Sequence, residues 1–364
     1  MISKHKQKLL PVSALIERSV LLILTPGFPA SEEDSTCLPM QQNLVKTLKE
    51  DFPEVKIIVL SFQYPYHKQT YKWHGITVMS FNGQNKPGLA RLLLRRKLNG
   101  VLKEIERSHK ILGLFSFWYG ECALVGKSFA DRNSLKHYCW ILGQDAKKNN
   151  KYPGRIHANA SELIALSDFL QDEFERNHKV RPQYLIPPGS ILPVNPPQKV
   201  RSIDILGVGS LIPLKCFNVF LEILAEIKKQ LPGVKALLIG NGPEKNNLDD
   251  LIVKYNLQQN CIITGELPYH EVQAYMQQSK ILLHPSSYEG FSGVCQEALL
   301  NGAHVISFCR AMKSEIEQWH IVSDRQAMLT KALDILKDPA TAFYSIEPFT
   351  IKETAQKIMA LFAG

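Results

Sequence analysis

The sequence predicts an α/β protein of two doubly wound domains in tandem. Three observations carry this. Its 364 residues exceed one ordinary domain, and two is the expectation from length. Short apolar runs of strand length alternate with longer amphipathic stretches, the pattern of a parallel sheet covered by helices on both faces. A proline-rich stretch near the middle interrupts that alternation once, and the rhythm then restarts.

In the first half the candidate strands are SVLLILT at Ser19–Thr25, VKIIVLSF at Val55–Phe62, ILGLFSF at Ile111–Phe117, KHYCWIL at Lys136–Leu142 and ELIALS at Glu162–Ser167. Each is a nearly continuous apolar run, as a strand buried on both faces requires. Met40–Glu50 and Gly120–Ala130 are amphipathic with helical spacing and fall between them. Ile186–Val200 holds five prolines in fifteen residues, so it is neither helix nor central strand. The domain boundary belongs there, giving an N-terminal domain over 1–188 and a C-terminal one over 198–349. Beyond it come RSIDILGVGS, a helix over Phe217–Gln230, KALLIG, a helix over Glu244–Tyr255, CIITG, a helix over Tyr269–Gln278, KILLHPS, a helix from Gly293, AHVIS and two further helices.

Composition narrows the class. A hydrophobic fraction of 45% and a charged fraction of 21% suit soluble domains with ample material for two cores. The longest early apolar run, Val20–Leu24, is far short of the roughly twenty residues that span a bilayer. Lys4, Lys6 and Lys8 resemble the charged start of a signal peptide, but Glu17 and Arg18 break the apolar region that would follow. The expectation is a cytoplasmic protein. Seven scattered cysteines with no Cys-x-x-Cys pair fit free thiols in a reducing compartment. The net charge of +9 calls for an acidic partner. Its local focus is Arg91, Arg95, Arg96 and Lys97 beside Leu92, Leu93, Leu94 and Leu98. Two readings stay open for that stretch: a core helix with a solvated basic face, or an interfacial helix that touches an anionic membrane.

The most informative stretch is HPSSYEGFSGVCQEALLNGAHVIS, His284–Ser307. A strand ends at its beginning, and a helix ends at Asn301-Gly302 with glycine beyond the cap. Ligands of open parallel sheets bind beyond the carboxyl ends of strands, where this loop falls. The unpaired N–H groups of Ser292, Gly293 and Val294 at the helix start would favour a phosphate. Gly290 and Gly293 permit close backbone approach. Glu297, one turn inside the helix, is placed to accept both hydroxyls of a ribose attached to that phosphate. Glu289, on the loop before the helix, is placed for a second polyol, a sugar.

With the order Pro-Ser, Glu-Gly-Phe, Glu-Ala, Asn-Gly and an apolar strand, this stretch resembles the signature of family-4 retaining glycosyltransferases. The resemblance continues through ILGVGSLIPLKCFNVFLEILAEI and ALLIGNGPEKNNLDDLI, covering most of the second half well and the first half loosely. It implies the GT-B architecture, two facing Rossmann-like doubly wound domains with an interdomain cleft, and a last helix over 350–364 that packs back on the first domain. It implies transfer of a sugar from a nucleotide-diphosphate donor to a saccharide or lipid-linked acceptor, with retention at the anomeric carbon. Glu289, Lys215 and Asp145 take the catalytic positions. Lys215 matches the lysine that holds the donor diphosphate, and the helix start supplies Gly290, Phe291, Ser292, Gly293 and Val294. Ser210 falls where the family has arginine, and Cys216 replaces the usual glycine. Gly242 lies in the turn near the nucleotide, and Gly27 and Gly143 lie in first-domain loops. Phe28 also matches, while Glu32, Glu33 and Asp34 stand where a second glycine cluster is usual. In LGQDAKKN, Leu142 replaces the usual histidine, leaving its work to Asp145 or to a residue such as His137.

Other readings stand beside these. Asp145 is equally suited to a turn, and Lys215 to simple solvation. Trp118, Tyr119, Tyr138 and Trp140 suit a core better than a sugar platform. A dehydrogenase is excluded because GVGS supplies Gly207 and Gly209 but has Ile212 in place of the third glycine. Nothing resembles a zinc module or an aromatic RNA-binding sheet, so no nucleic-acid partner is expected. A nucleotide-sugar epimerase and a non-catalytic sugar-nucleotide binder remain as alternatives. No cofactor beyond the donor is implied, and the chain lacks any Asp-x-Asp triplet, so no metal-bridged diphosphate is expected.

Overall fold

The computed structural model describes residues 19–191 and 200–363. The signal-like Lys4, Lys6 and Lys8, the charged Glu17 and Arg18, and most of the proline-rich stretch lie outside the described residues. The chain divides into two compact units. The first takes the described residues up to Leu166, Glu173–Ile186 and those from Ile351 onward. The second takes Ser167–Asp172 and the described part of Pro187–Thr350.

The first unit contains β1 (Ser19–Gly27), α1 (Pro39–Asp51), β2 (Lys56–Tyr64), β3 (Gln69–Trp73), β4 (Ile76–Ser80), α2 (Leu89–Ser108), β5 (Lys110–Phe117), α3 (Glu121–Arg132), β6 (His137–Ile141), α4 (Pro153–Ile156), β7 (Leu163–Ala165) and β8 (Tyr184–Leu185). The unit boundary falls within α5 (Asp168–His178). The sheet order is β3-β4-β2-β1-β5-β6-β7-β8, parallel except for β3 on β4. Val20–Leu24 of β1 are fully buried, as befits a central strand covered on both faces. The β3–β4 hairpin is an addition to the expected elements. β3 is a mostly exposed edge strand and β4 buries only alternate residues, so both lack the continuous apolar run that marks the others. In α2, Leu94, Leu98, Leu102 and Ile105 recur every three or four residues and form the buried stripe. Burying such a side chain contributes about 1.5–3 kcal/mol.

The second unit contains β9 (Ile203–Val208), α6 (Phe217–Gln230), β10 (Ala236–Ile239), α7 (Lys245–Lys254), β11 (Cys261–Gly265), α8 (Tyr269–Gln277), β12 (Ser279–His284), α9 (Gly293–Leu300), β13 (His304–Ser307), β14 (Trp319–Ile321) and α10 (Arg325–Lys337). Its all-parallel sheet runs β11-β10-β9-β12-β13-β14. The chain moves outward from β9 through β10 to β11, then returns to β12 and moves outward the other way. The strand order therefore reverses between β9 and β12, and the loops leaving these two strands flank a crevice. Arg201 anchors the start of β9. Its buried guanidinium donates to the carbonyls of Met276, Ser279 and Asn301, and burial pushes its pKa down to about 10.

The last helix, α11 (Ile351–Ala363), belongs to the first unit and packs on α1. Ile351, Ala355, Ile358, Met359 and Phe362 form its buried face. Gly113 of β5 makes room for Phe362, since a Cβ there would lie 2.5 Å from the ring. Lys136 Nζ lies 3.2 Å from the carbonyls of Leu361 and Phe362, placing a cation at the negative end of the helix. Tyr138 also donates to Leu361. All seven cysteines are free.

Candidate active site

At the crevice between β9 and β12 the second unit brings together Lys215, His284 and Glu289. Beyond β9 the chain passes Gly209 and Ser210 and makes a short turn at Pro213–Lys215 before α6. Ser287 N–H donates to the Leu214 carbonyl at 3.0 Å, and Ser286 Oγ donates to it at 3.2 Å. These bonds tie the β9 loop to the β12 loop. The tie brings Lys215 Nζ to 2.5 Å from Glu289 Oε1 across 74 residues of sequence. His284, the last residue of β12, completes the cluster with Nε2 at 3.0 Å from the same oxygen and 3.3 Å from Ser292 Oγ.

Burial opposes the charge on Glu289, but the hydrogen bond from His284 and the charge of Lys215 outweigh it and hold the carboxyl below its usual range. His284 is fully enclosed, and burial lowers its pKa despite the neighbouring carboxylate. Near neutrality the cluster is therefore an ammonium, a carboxylate and a neutral imidazole. An ammonium has three donors and Glu289 uses one, leaving the others for an anion.

The start of α9 lies on the same loop. Ser292 is its N-cap, but no side chain caps the helix, because the Ser292 hydroxyl turns toward His284. A Cβ at Gly293 would meet nothing within 4 Å, so the first turn borders open space. Positive helix end and ammonium thus converge on one place, the arrangement that holds a phosphate. Glu297 follows on α9. Its carboxylate lies 3.4 Å from Tyr269 Oη and 3.3 Å from Gln273 Nε2, and burial pushes its pKa up to about 7.

Not every expected residue presents its side chain here. Phe291 is a core residue, buried against Trp319 and Phe349 with ring centroids 5.9 Å away in each case, so only its backbone borders the loop. Ser210 is exposed and carries no charge. Gly242 serves packing between loops, since a Cβ there would lie 2.4 Å from the Leu211 carbonyl oxygen. Gly290 accepts a hydrogen bond from Ser167 Oγ through its carbonyl. Val294 is half-buried on the first turn of α9.

The first-unit candidates lie in that unit's own loops. Asp145 is a loop-fixing carboxylate: it accepts backbone N–H bonds from Tyr119 at 2.8 Å, Gly143 at 2.7 Å and Leu142 at 3.1 Å. Burial raises its pKa against these bonds. Its oxygens hold the loops after β5 and β6 together. Gly143 takes φ +153°, a backbone that favours glycine. His137 is no replacement for the missing histidine. It stands at the start of β6, the opposite end from that loop, fully buried with Nε2 2.9 Å from Ser116 Oγ and its pKa lowered to about 3 by burial. Gly27 ends β1, and its carbonyl accepts from Thr25 Oγ1. In the acidic run after it, Asp34 ties down the loop through Ala30 N–H, Cys37 N–H and Tyr64 Oη, while Glu32 pairs with His74. Tyr119 and Trp140 are buried. His284 is a member of the charged cluster that the sequence did not single out. Its signal was a polar residue closing a buried strand five positions before Glu289.

Cys216 adopts φ +50° at the N-cap of α6, which explains why glycine is usual there. The left-handed conformation costs an L-residue about 1–2 kcal/mol, part of which glycine returns through its freedom in the unfolded chain. Cys216→Gly is expected to raise stability by about 0.5–1 kcal/mol, or the melting temperature by about 1–4 °C. A lowered melting temperature in calorimetry would contradict this account.

Two Rossmann-like units with parallel sheets make this the GT-B class of fold, with the charged cluster at the switch point of the second. Comparisons with known proteins agree. Residues 194–340 match the model of the family described as "Glycosyl transferases group 1". The chain is 27% identical over 103 residues to the 2-deoxystreptamine N-acetyl-D-glucosaminyltransferase of Niallia circulans, covering 28% of this chain and 26% of that one. It is 34% identical over 113 residues to the amylovoran biosynthesis glycosyltransferase AmsD of Erwinia amylovora, covering 31% of each. The chain thus spans under a third of the length of these two relatives. The solved structure of Anabaena HepE with UDP and glucose superposes with a TM-score of 0.68 at 16% identity, over 96% of this chain and 100% of that one. At that identity the likeness speaks for the fold.

Proposed function

We propose that the protein is a retaining glycosyltransferase that moves a sugar from a nucleotide-diphosphate donor to a saccharide or lipid-linked acceptor. The observation that carries this reading is the convergence of Lys215, Glu289 and the uncapped start of α9 at the β9/β12 switch point, with Glu297 further along that helix. The donor is held by the domain over 198–349, and the acceptor by 1–188 together with the helix of 350–364. The group 1 match over 194–340, the glucosaminyltransferase among the relatives, and the UDP and glucose of the HepE structure support the sugar-transfer reading. Retention rests on the resemblance of the Glu289–Glu297 string to retaining enzymes.

In this mechanism Lys215 and the N–H groups of Gly293 and Val294 meet the negative charge that grows on the diphosphate as the sugar–oxygen bond breaks. Glu289 accepts from hydroxyls of the donor sugar, and Glu297 from those of the ribose. His284 is a positioning residue: it fixes Glu289 beside Lys215 while staying neutral. With an ammonium and a helix dipole in place, the leaving group needs no metal. The protein works in the cytoplasm, with peripheral contact at the inner face of the membrane. Among the described residues no helix is long and apolar enough to cross a membrane.

The test offers purified protein a panel of nucleotide sugars, with and without saccharide and lipid-linked acceptors. The expected result is nucleotide release that depends on the acceptor, survives EDTA, and yields a product with the donor's anomeric configuration by NMR. Acceptor-independent rearrangement of the donor would replace the transferase reading with an epimerase. Loss of turnover in EDTA that magnesium restores would overturn the leaving-group account.

A further inference from the structure

The outer face of the first half of α2 is unlike the rest of the surface. Leu89, Leu92 and Leu93 are 77%, 46% and 51% exposed. At 100° per residue they share one face with Arg96, Lys97 and Lys103, while Leu94, Leu98, Leu102 and Ile105 fill the opposite, buried face. The helix is thus apolar on two sides at its beginning, and only one side is used by the core. Between Lys86 and Lys103 the chain carries six cations, Lys86, Arg91, Arg95, Arg96, Lys97 and Lys103, and no acid. The six are not equivalent. Arg91 and Arg95 both turn to Glu121 at the start of α3, which Tyr152 Oη also approaches at 2.7 Å. Arg96 and Lys97 are exposed beside the leucines, and among the described residues neither has an ion-pair partner.

We propose that this face, Leu89, Leu92 and Leu93 flanked by Lys86, Arg96 and Lys97, docks on an anionic lipid bilayer. Exposed leucines in contiguous helical positions enter the boundary between headgroups and acyl chains, and the cations beside them meet lipid phosphates. Charge selects this occupant. A second copy would bring the same positive face against itself, and a convex helix surface offers no groove to a peptide. The inference deepens the peripheral-membrane part of the proposed function. Vesicle binding is read without sugar transfer, so either can fail while the other stands.

The full chain is co-sedimented with phosphatidylcholine vesicles, with and without phosphatidylglycerol, at low and high salt. Binding is expected only with phosphatidylglycerol, and is expected to weaken as salt shortens the screening length. Arg96→Gln with Lys97→Gln should lower partitioning by about tenfold to thirtyfold. Replacing Leu89, Leu92 and Leu93 by Ser should abolish it. Because these side chains are exposed, melting temperatures should stay at the wild-type value. Arg91→Gln with Arg95→Gln should act instead through the melting temperature, by stranding Glu121. Equal binding to neutral vesicles, no binding, or binding indifferent to the exposed substitutions overturns the proposal. So does a dimer in sedimentation velocity that the serine variant dissociates, which would make the face a self-association surface.

Discussion

Lys215→Ala is expected to lower sugar transfer by about 10²–10³-fold, the cost of removing one preorganised group from charge that develops in the transition state. The effect should fall mainly on kcat, because the charge on the leaving diphosphate grows as the bond to the sugar breaks. Lys215 is also positioned before the donor arrives: Glu289 holds its ammonium, and the stem runs past Gly209, where a Cβ would lie 3.6 Å from Lys215 Cε. Arginine at this position should recover little, since a planar fork does not reproduce a compact ammonium in that space. The pair also carries a pH signature. Glu289 has its pKa depressed below 4.5, so its stabilising contribution is present above 4.5 and is lost as pH falls through the depressed value. In Lys215→Ala that acid-side stability should shrink. A variant that transfers sugar at the wild-type rate would remove Lys215 from the mechanism.

Donor-nucleotide affinity is expected to rise with pH through about 7, following ionisation of Glu297. Burial raises this carboxyl, and the long contacts from Tyr269 and Gln273 only partly offset it. The carboxylate accepts from both ribose hydroxyls, whereas the protonated acid presents one good acceptor. Binding therefore weakens below the folded pKa, by up to about tenfold per pH unit for a single required proton loss. Without donor the sign is reversed. Between 4.5 and about 7 the folded chain holds a proton that the unfolded chain has shed, so stability falls as pH rises across that window. Glu297→Gln is expected to weaken the nucleotide by about 1.5–3 kcal/mol, the scale of hydrogen bonds to a charged group, and to flatten the pH dependence. Calorimetric titration with nucleoside diphosphate on either side of pH 7 reads both effects. A wild-type profile that is flat, with affinity unchanged in the variant, would take the ribose away from Glu297.

The alternation of elements is legible in the residues alone, most clearly in the second unit. Strands such as β12 are buried on both faces, so they appear as continuous apolar runs whatever their partners. The string from His284 to Ser307 likewise revealed a strand, a loop and a helix start carrying two carboxylates, because the distances involved are local. What each charged group meets depended on folding. His137 and His284 both belong to apolar strands, but one opens its strand and the other closes it, so only His284 reaches the ligand end of a sheet. Asp145 and Glu289 are both loop acids. Backbone N–H groups of the loops after β5 and β6 occupy the first, while a lysine 74 residues away meets the second. The basic cluster on α2 is divided in the same way, since Glu121, 26 residues from Arg95, takes Arg91 and Arg95 and leaves Arg96 and Lys97 exposed. Periodicity reports which face of an element is buried. It does not report what the charged ends of side chains meet there, because those partners come from distant parts of the chain that only folding brings together.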